Sequence, residues 1–279
     1  MRKFLRTRNI FIGSLIILAI GISYVLFTDQ YSQAKFRTMQ DNISPHEKVD
    51  LRGLKEILAS GGPIVNFPEL KSKLHHVEHK IIVVDAIRQY HGYMDFPLLK
   101  EVPTTFFAYE RRDPDLRHLF RRLIFTGTIQ IRPELVSPEK KLAEKYGFDY
   151  KNIKIDSRIL TPDASVDAFV AYFDKLPTDV WVHFHCRLGK GRTSMMLVMA
   201  DIMRNAPTVA LEDIVKRQHL LGSENLFNTV ARNGGTYFSS TLKRRKKFIE
   251  EFYTFICQRK AGKIQQWSEW HRAQEDKSL

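Results

Sequence analysis

The stretch VWVHFHCRLGKGRT, Val180–Thr193, decides the fold. Its first half, Val180–His185, is short, β-branched and aromatic, which predicts a buried strand. Its second half turns at Gly189 and Gly191 and leads into TSMMLVMADIMRN. That run is apolar almost all round and predicts a buried helix over Thr193–Asn205. A loop joining a buried strand to a buried helix gathers backbone N–H groups and the positive end of the helix dipole at one point. The two glycines let the chain curl so that these groups converge on an anion. Cys186 at the base of such a nest is favoured as a thiolate. Arg192, six positions on, can return over the loop and grip two phosphoryl oxygens. A nucleotide-binding Gly-x₄-Gly-Lys-Ser/Thr pattern is absent from this loop.

Outward from the loop, KIIVVD (Lys80–Asp85) predicts a second strand. Thr161-Pro162-Asp163 predicts a helix start with Thr161 as N-cap, followed by Val166, Phe169, Val170 and Phe173 on one face. Further helices are predicted over about Leu211–Leu221 and Lys243–Arg259, the latter with Phe248, Ile249, Phe252, Phe255 and Ile256 as one stripe. The expected class is α/β, a central mostly parallel sheet flanked by helices. The stretch around residues 100–150 is expected to be a small β-rich insertion.

The chain of 279 residues carries 44 Lys+Arg against 31 Asp+Glu, a net charge of +13, which points to an anionic partner. Four of those charges are Arg2, Lys3, Arg6 and Arg8, ahead of the uncharged run Ile10–Phe27. Eighteen residues rise about 27 Å as a helix, so residues 1–34 are expected to be a signal peptide or membrane anchor. The body of the chain, residues 35–279, is then expected across or on the outer face of the cytoplasmic membrane, periplasmic or secreted. Ser32-Gln33-Ala34 offers a small-residue cleavage site. Residues 28–279 still carry +9. Two cysteines exclude a disulfide framework and a Cys₄ zinc site. Cys257 falls on the apolar stripe of the last helix. His75-His76-x-x-His79 lacks a fourth ligand, and no nucleic-acid-binding motif accompanies the basic residues. Nucleic acid is therefore not expected as a partner.

His-Cys-x₅-Arg-Thr resembles the signature of the cysteine-dependent phosphatases of the protein tyrosine phosphatase superfamily. The wider stretch Leu176–Thr193 is similar to the bacterial tyrosine-phosphatase-like inositol phosphatases, the cysteine phytases. Lys80–Gly92, Arg217-Gln218-His219, Phe252-Tyr253 and Trp267-Ser268-Glu269-Trp270 extend the similarity, as does Phe36-Arg37. The resemblance implies a tyrosine phosphatase-like fold and no cofactor or metal. It implies Cys186 as nucleophile through a phosphocysteine, with Arg192 and the loop N–H groups on the transferred oxygens. Thr193 would serve the sulfur and His185 would orient the loop. Asp156, 30 residues before the cysteine, is the expected general acid, with Asp163 and Asp167 as nearby rivals. Where relatives have His-x-Trp-Pro after this acid, the chain has Ser157-Arg158-Ile159-Leu160.

The expected substrate-binding residues are Arg187, Leu188, Gly189, Lys190 and Gly191 of the loop, Lys243 in the basic run Lys243–Lys247, and, on resemblance, Arg37 and Arg88. Arg187 and Lys190 are cationic where typical tyrosine phosphatases are small or neutral, and the tensin-like phosphoinositide phosphatase has lysines there. The expected substrate is an inositol polyphosphate such as phytate, or another multiply phosphorylated small molecule. A phosphoinositide lipid or anionic membrane, phosphotyrosine, and a catalytically dead anion- or lipid-binding module remain as alternatives. The sequence leaves the oligomeric state open.

Overall fold

The structure of the protein, a computed structural model, describes residues 11–22, 34–44, 46–88, 91–94, 104–107, 136–156, 161–231 and 238–276. Lys80–Asp85 (β3) and Val180–His185 (β8) are strands with the expected ends. They lie in parallel register, Lys80 opposite Val180 and Asp85 opposite His185. Every residue of β8 is buried, as a central parallel strand covered on both faces requires. Ala59–Gly62 (β2) pairs with β8, and Asp149–Asn152 (β7) with β3, both in parallel. Arg37–Thr38 (β1) closes one edge antiparallel, giving the order β1-β2-β8-β3-β7.

His91–Met94 (β4), Thr104–Phe107 (β5) and Val136–Pro138 (β6) form a separate sheet in the order β5-β4-β6. β5 and β6 fall within the stretch expected to be β-rich, while β4, between them in the sheet, precedes it. The stretch around 100–150 is not wholly an insertion, however, because β7 is an edge strand of the main sheet. Residues 108–135 lie outside the described residues.

Helices cover the main sheet. In chain order after residues 11–22 (α1) they are Phe67–Lys73 (α2), Glu139–Lys145 (α3), Asp163–Asp174 (α4), Gly191–Asn205 (α5), Leu211–Leu220 (α6), Ser239–Lys260 (α7) and Trp267–Glu275 (α8). Side chains alternate along the strands, so one strand feeds two cores. Val84, Val182 and Phe184 pack with Phe169 and Phe173 of α4, Met196 and Val198 of α5, and Phe252 and Phe255 of α7. Val83 and Trp181 face the other way, onto Phe67, Tyr93 and Leu142. Truncating a fully buried phenylalanine such as Phe252 to alanine costs about 3–5 kcal/mol.

Two sequence expectations change here. The residue capping α4 is Pro162, and no side chain caps the helix; Thr161 is engaged elsewhere. The last long helix begins at Ser239, so Lys243–Lys247 is not a helix start. Arg245 turns inward to the Asn225 carbonyl at 3.2 Å, while Lys246 and Lys247 pair with Glu250 and Glu251 one turn on. Arg217, quoted above for its resemblance, is wholly buried in an ion pair with Asp201 that ties α6 to α5.

The chain divides into two units: residues 33–107 with 137–279, which hold the sheets and core just described, and residues 1–32 with 108–136. In the second unit α1 exposes Phe11, Leu15, Ile17 and Leu18. Among the described residues, no helix is long and apolar enough to cross a membrane. Ile10, residues 23–27 and Ser32-Gln33 of the expected anchor and cleavage site lie outside the described residues.

Candidate active site

Cys186 follows β8 directly, and the chain then curls through Arg187–Lys190 into α5. Its curl is held from outside. The Arg187 carbonyl accepts from Ile64 N at 3.3 Å, and the Leu188 carbonyl from Ala34 N at 2.8 Å. Gly189 has φ +68, and a Cβ there would sit 2.6 Å from both the Gly62 carbonyl carbon and Pro63 N. Both the backbone conformation and the space therefore require glycine. No side chain caps α5, and no acidic residue occupies its first turn, so the helix itself places no carboxylate against its N-terminal field.

The Cys186 thiol is buried, and burial pushes its pKa up. The Arg192 charge and hydrogen bonds from the Thr193 hydroxyl and from the Thr193 and Leu188 amides outweigh that, so the pKa ends below the ordinary thiol value. Arg192 is half-buried, and its Nη1 donates to the Ala86 carbonyl at 3.2 Å, where β3 ends. Thr193 Oγ1 also reaches the Gly62 carbonyl at 3.3 Å. The expected nucleophile and clamp, the loop amides and a hydroxyl on the sulfur thus lie together in the Cys186–Thr193 loop.

Asp156 is partly buried and ion-paired to Arg88, Oδ2 to Nη1 at 3.0 Å. Its backbone is fixed by Thr161, whose hydroxyl donates to the Asp156 carbonyl at 2.8 Å and accepts from the Asp156 amide at 3.3 Å. The residue read as a helix cap is therefore the clasp of the acid's loop. Ser157–Leu160, where the chain departs from the family pattern, lie outside the described residues. The rival acids are committed to α8. Asp163 accepts from Trp267 Nε1 at 2.7 Å, and Asp167 accepts from the Trp267 and Ser268 amides at 2.7 and 3.3 Å.

Arg187, Leu188 and Lys190 are half-buried on the loop, Gly191 is buried at the start of α5, and Arg88 is exposed apart from its carboxylate partner. Lys243 is exposed on α7, in a run whose members point in different directions. Arg37, expected to contact phosphate, is only 3% exposed. Its guanidinium donates to the Gly189 carbonyl at 3.0 Å, Ser194 Oγ at 3.2 Å and Ser223 Oγ at 3.0 Å. Burial lowers its pKa to about 10, against the pull of Cys186 and Glu224. It is a buried brace under the loop that adds positive potential to the thiolate.

Three residues escaped the sequence reading. Asp85, Glu139 and His91 converge on His185, and Asp85, Glu139 and His185 bring metal-ligand-type atoms within 4.8 Å of one another. An acid closing an otherwise apolar strand was the available sign for Asp85; Glu139 and His91 carried none. His75, His76 and His79 are exposed, away from this cluster's burial.

The family described as PTP-like phytase, inositol hexakisphosphate, matches residues 122–204, which include Asp156 and the whole Cys186 loop. An uncharacterized protein of Xanthomonas campestris pv. campestris, AvrBs1.1, is 36% identical over 95 residues, 33% of this chain and 88% of that protein. Among solved structures, a PTP-like myo-inositol phosphatase from Mitsuokella multacida in complex with myo-inositol-(1,3,4,5)-tetrakisphosphate aligns with TM-score 0.66 at 21% identity. The alignment covers 88% of this chain and 50% of that one. A PTP-like phytase from Bdellovibrio bacteriovorus aligns with TM-score 0.59 at 23% identity, covering 88% of this chain and 98% of that one. The chain spans about half the length of the Mitsuokella structure. These structures share the α/β fold with its mostly parallel central sheet.

Proposed function

We propose, for a chain that belongs to the PTP-like phytase family of cysteine-dependent phosphatases, the stepwise hydrolysis of phosphomonoesters on inositol polyphosphates. The observation that carries this reading is the buried Cys186 thiol, its pKa lowered by Arg192 and loop donors, in a loop that also carries the half-buried Arg187 and Lys190. In the first step the Cys186 sulfur attacks phosphorus in line, the S–P bond forms, and the P–O bond to the ring breaks. Arg192 and the loop amides stabilise the three equatorial oxygens. Asp156 gives its proton to the departing oxygen. A water then attacks the phosphocysteine, Asp156 takes its proton, and inorganic phosphate leaves as the thiolate is restored. The Thr193 hydroxyl supports the departing sulfur.

Arg187 and Lys190 favour a ring bearing several phosphates over an isolated monoester, because each further phosphate meets a fixed cation. The Mitsuokella inositol tetrakisphosphate complex supports this substrate class by likeness of fold. The N-terminal run, with the exposed apolar face of α1, supports a role for residues 1–34 in export or anchoring. Fractionation of cells expressing the full chain and a version lacking residues 1–34 tests that part: both remaining soluble in the cytoplasm would sink it. The activity is tested by phosphate release from phytate, a soluble phosphoinositide and a phosphotyrosine peptide, by wild type and Cys186→Ser side by side. Release from phytate by wild type alone is expected. A preference for the phosphotyrosine peptide would remove the inositol reading and keep the mechanism.

A further inference from the structure

We infer that Asp85 and Glu139 are positioning residues of the catalytic loop, acting through His185 and the Ala86 peptide. Four elements meet behind the nucleophile: Asp85 ends β3, His91 begins β4, Glu139 begins α3, and His185 ends β8 one residue before Cys186. All four side chains are buried, His91 the most open at 7%. His91 Nε2 lies 2.5 Å from Glu139 Oε2 and 3.3 Å from Asp85 Oδ2. His185 Nε2 lies 3.1 Å from Glu139 Oε1, off the line of a good hydrogen bond, and 3.8 Å from Asp85 Oδ1.

Three of these residues form a plausible ligand set for a metal, but their oxygens already have donors. Asp85 Oδ1 takes the Ile87 amide at 2.6 Å, and Oδ2 takes the Tyr150 hydroxyl at 2.8 Å and Asn152 Nδ2 at 2.6 Å. Glu139 Oε1 takes the Tyr93 hydroxyl at 3.1 Å, and Oε2 faces His91. Beyond these donors, the two carboxylates face the His91 and His185 rings, so each buried anion has an imidazole beside it. Burial works against charge on both histidines, but the two carboxylates override it and raise both. His183, two residues back on β8, stays neutral: burial and the His185 charge lower it, and its ring stacks on Phe36.

The cluster reaches both ends of the loop. Toward the nucleophile, Glu139 Oε1 lies against His185 Nε2 at 3.1 Å. Toward the clamp, the Asp85–Ile87 bond sets the turn in which Ala86 N donates to the His185 carbonyl at 3.0 Å and Ala86 O receives Arg192. One buried network therefore sets the distance between the sulfur and the guanidinium. It also ties the loop to residues on either side of the 95–135 stretch, namely His91 and Glu139.

The inference rests on Cys186 and Arg192 being the reacting groups, and the test separates the two claims. In full-length Glu139→Gln, iodoacetamide labelling of the Cys186 peptide is followed by mass spectrometry against pH, beside kcat and KM on a phosphomonoester, a thermal melt and metal analysis. Loss of the carboxylate removes the main group that raises His185 and leaves the loop less constrained. The labelling profile should move up by about one pH unit, ~10-fold slower labelling on the acidic side. Turnover should fall ~10²-fold with KM within about threefold. If Glu139→Gln does not fold, Asp85→Asn, which removes the other carboxylate that raises His185, should move both readouts in the same direction. A folded variant with wild-type labelling and kcat would overturn the inference, as would a stoichiometric metal whose removal from wild type reproduces these losses. A wild type that labels as expected but releases no phosphate would instead remove the proposed function.

Discussion

Arg88 and Asp156 hold one another at 3.0 Å, so the expected substrate cation and the expected general acid form a single ion pair. Asp156 is the more buried partner, and Thr161 fixes its backbone. An acid so placed matters in proportion to how badly the leaving group needs a proton. Asp156→Asn should slow release from phytate ~10²–10⁴-fold. An aryl phosphate, whose phenolate leaves unaided, should suffer much less. Equal losses on both esters would reassign the acid.

Arg88 can serve a second phosphate only if the substrate has one. Arg88→Gln should raise KM for phytate by ~2–5-fold, the scale of an exposed ion pair, and leave KM for a monophosphate ester unchanged. The comparison of the two substrates is the measurement. A uniform rise would mean that Arg88 serves only to hold Asp156.

Arg37 is a brace whose removal should be felt in two ways. Arg37→Met leaves the Gly189 carbonyl and two hydroxyls without their donor, and should cost about 1.5–3 kcal/mol in urea unfolding. It also removes a cation coupled to Cys186. The thiolate is then less favoured, so the acidic limb of the rate profile should move to higher pH. Lost stability with an unmoved limb would make Arg37 a packing residue only.

Two glycines with positive φ give an internal control. Gly189→Ala should abolish turnover, because its Cβ would collide with the backbone of Gly62 and Pro63. Gly147 has φ +88 with nothing within 4 Å of a built Cβ, so Gly147→Ala should cost only ~1–2 kcal/mol of stability and leave kcat intact. Unimpaired Gly189→Ala would contradict the described loop.

The buried cluster should also write itself into the pH dependence of stability. Burial opposes the charge on His91, but its two carboxylates raise its pKa to about 10, above an unfolded value of about 6.5. Its contribution is fully present below the unfolded value and is lost as pH rises through about 10. Glu139 is held below the usual carboxylate range, burial being outweighed by His185 and His91. That contribution is present above the unfolded glutamate value and is lost as pH falls. Urea midpoints of wild type should fall on both sides, and Glu139→Gln should flatten both slopes. A variant with unchanged slopes would show that the cluster is not charged as described.

What the sequence made legible is what is local. β3, β8 and α5 each announce themselves by a dense run of β-branched, aromatic or apolar residues, and Cys186, Gly189 and Arg192 sit within seven residues of one another. Glu139 and His91 are 48 residues apart and gain meaning only when β4 and α3 converge on β8. Thr161 has the chemistry of a cap, but its hydroxyl found the Asp156 backbone first. Arg37 resembled a substrate contact because an arginine near the loop reads the same whether it lies above or beneath. Only its burial separates those roles.

The central claim is that phosphorus passes through Cys186. Rapid acid quench during turnover of phytate, followed by mass spectrometry of the Cys186 peptide, tests it directly. The account expects a single phosphoryl group on Cys186 in wild type, enriched in Asp156→Asn, where breakdown of the intermediate slows, and absent from Cys186→Ser. Turnover with no phosphoryl group on that peptide, or release of phosphate by Cys186→Ser at the wild-type rate, would contradict it.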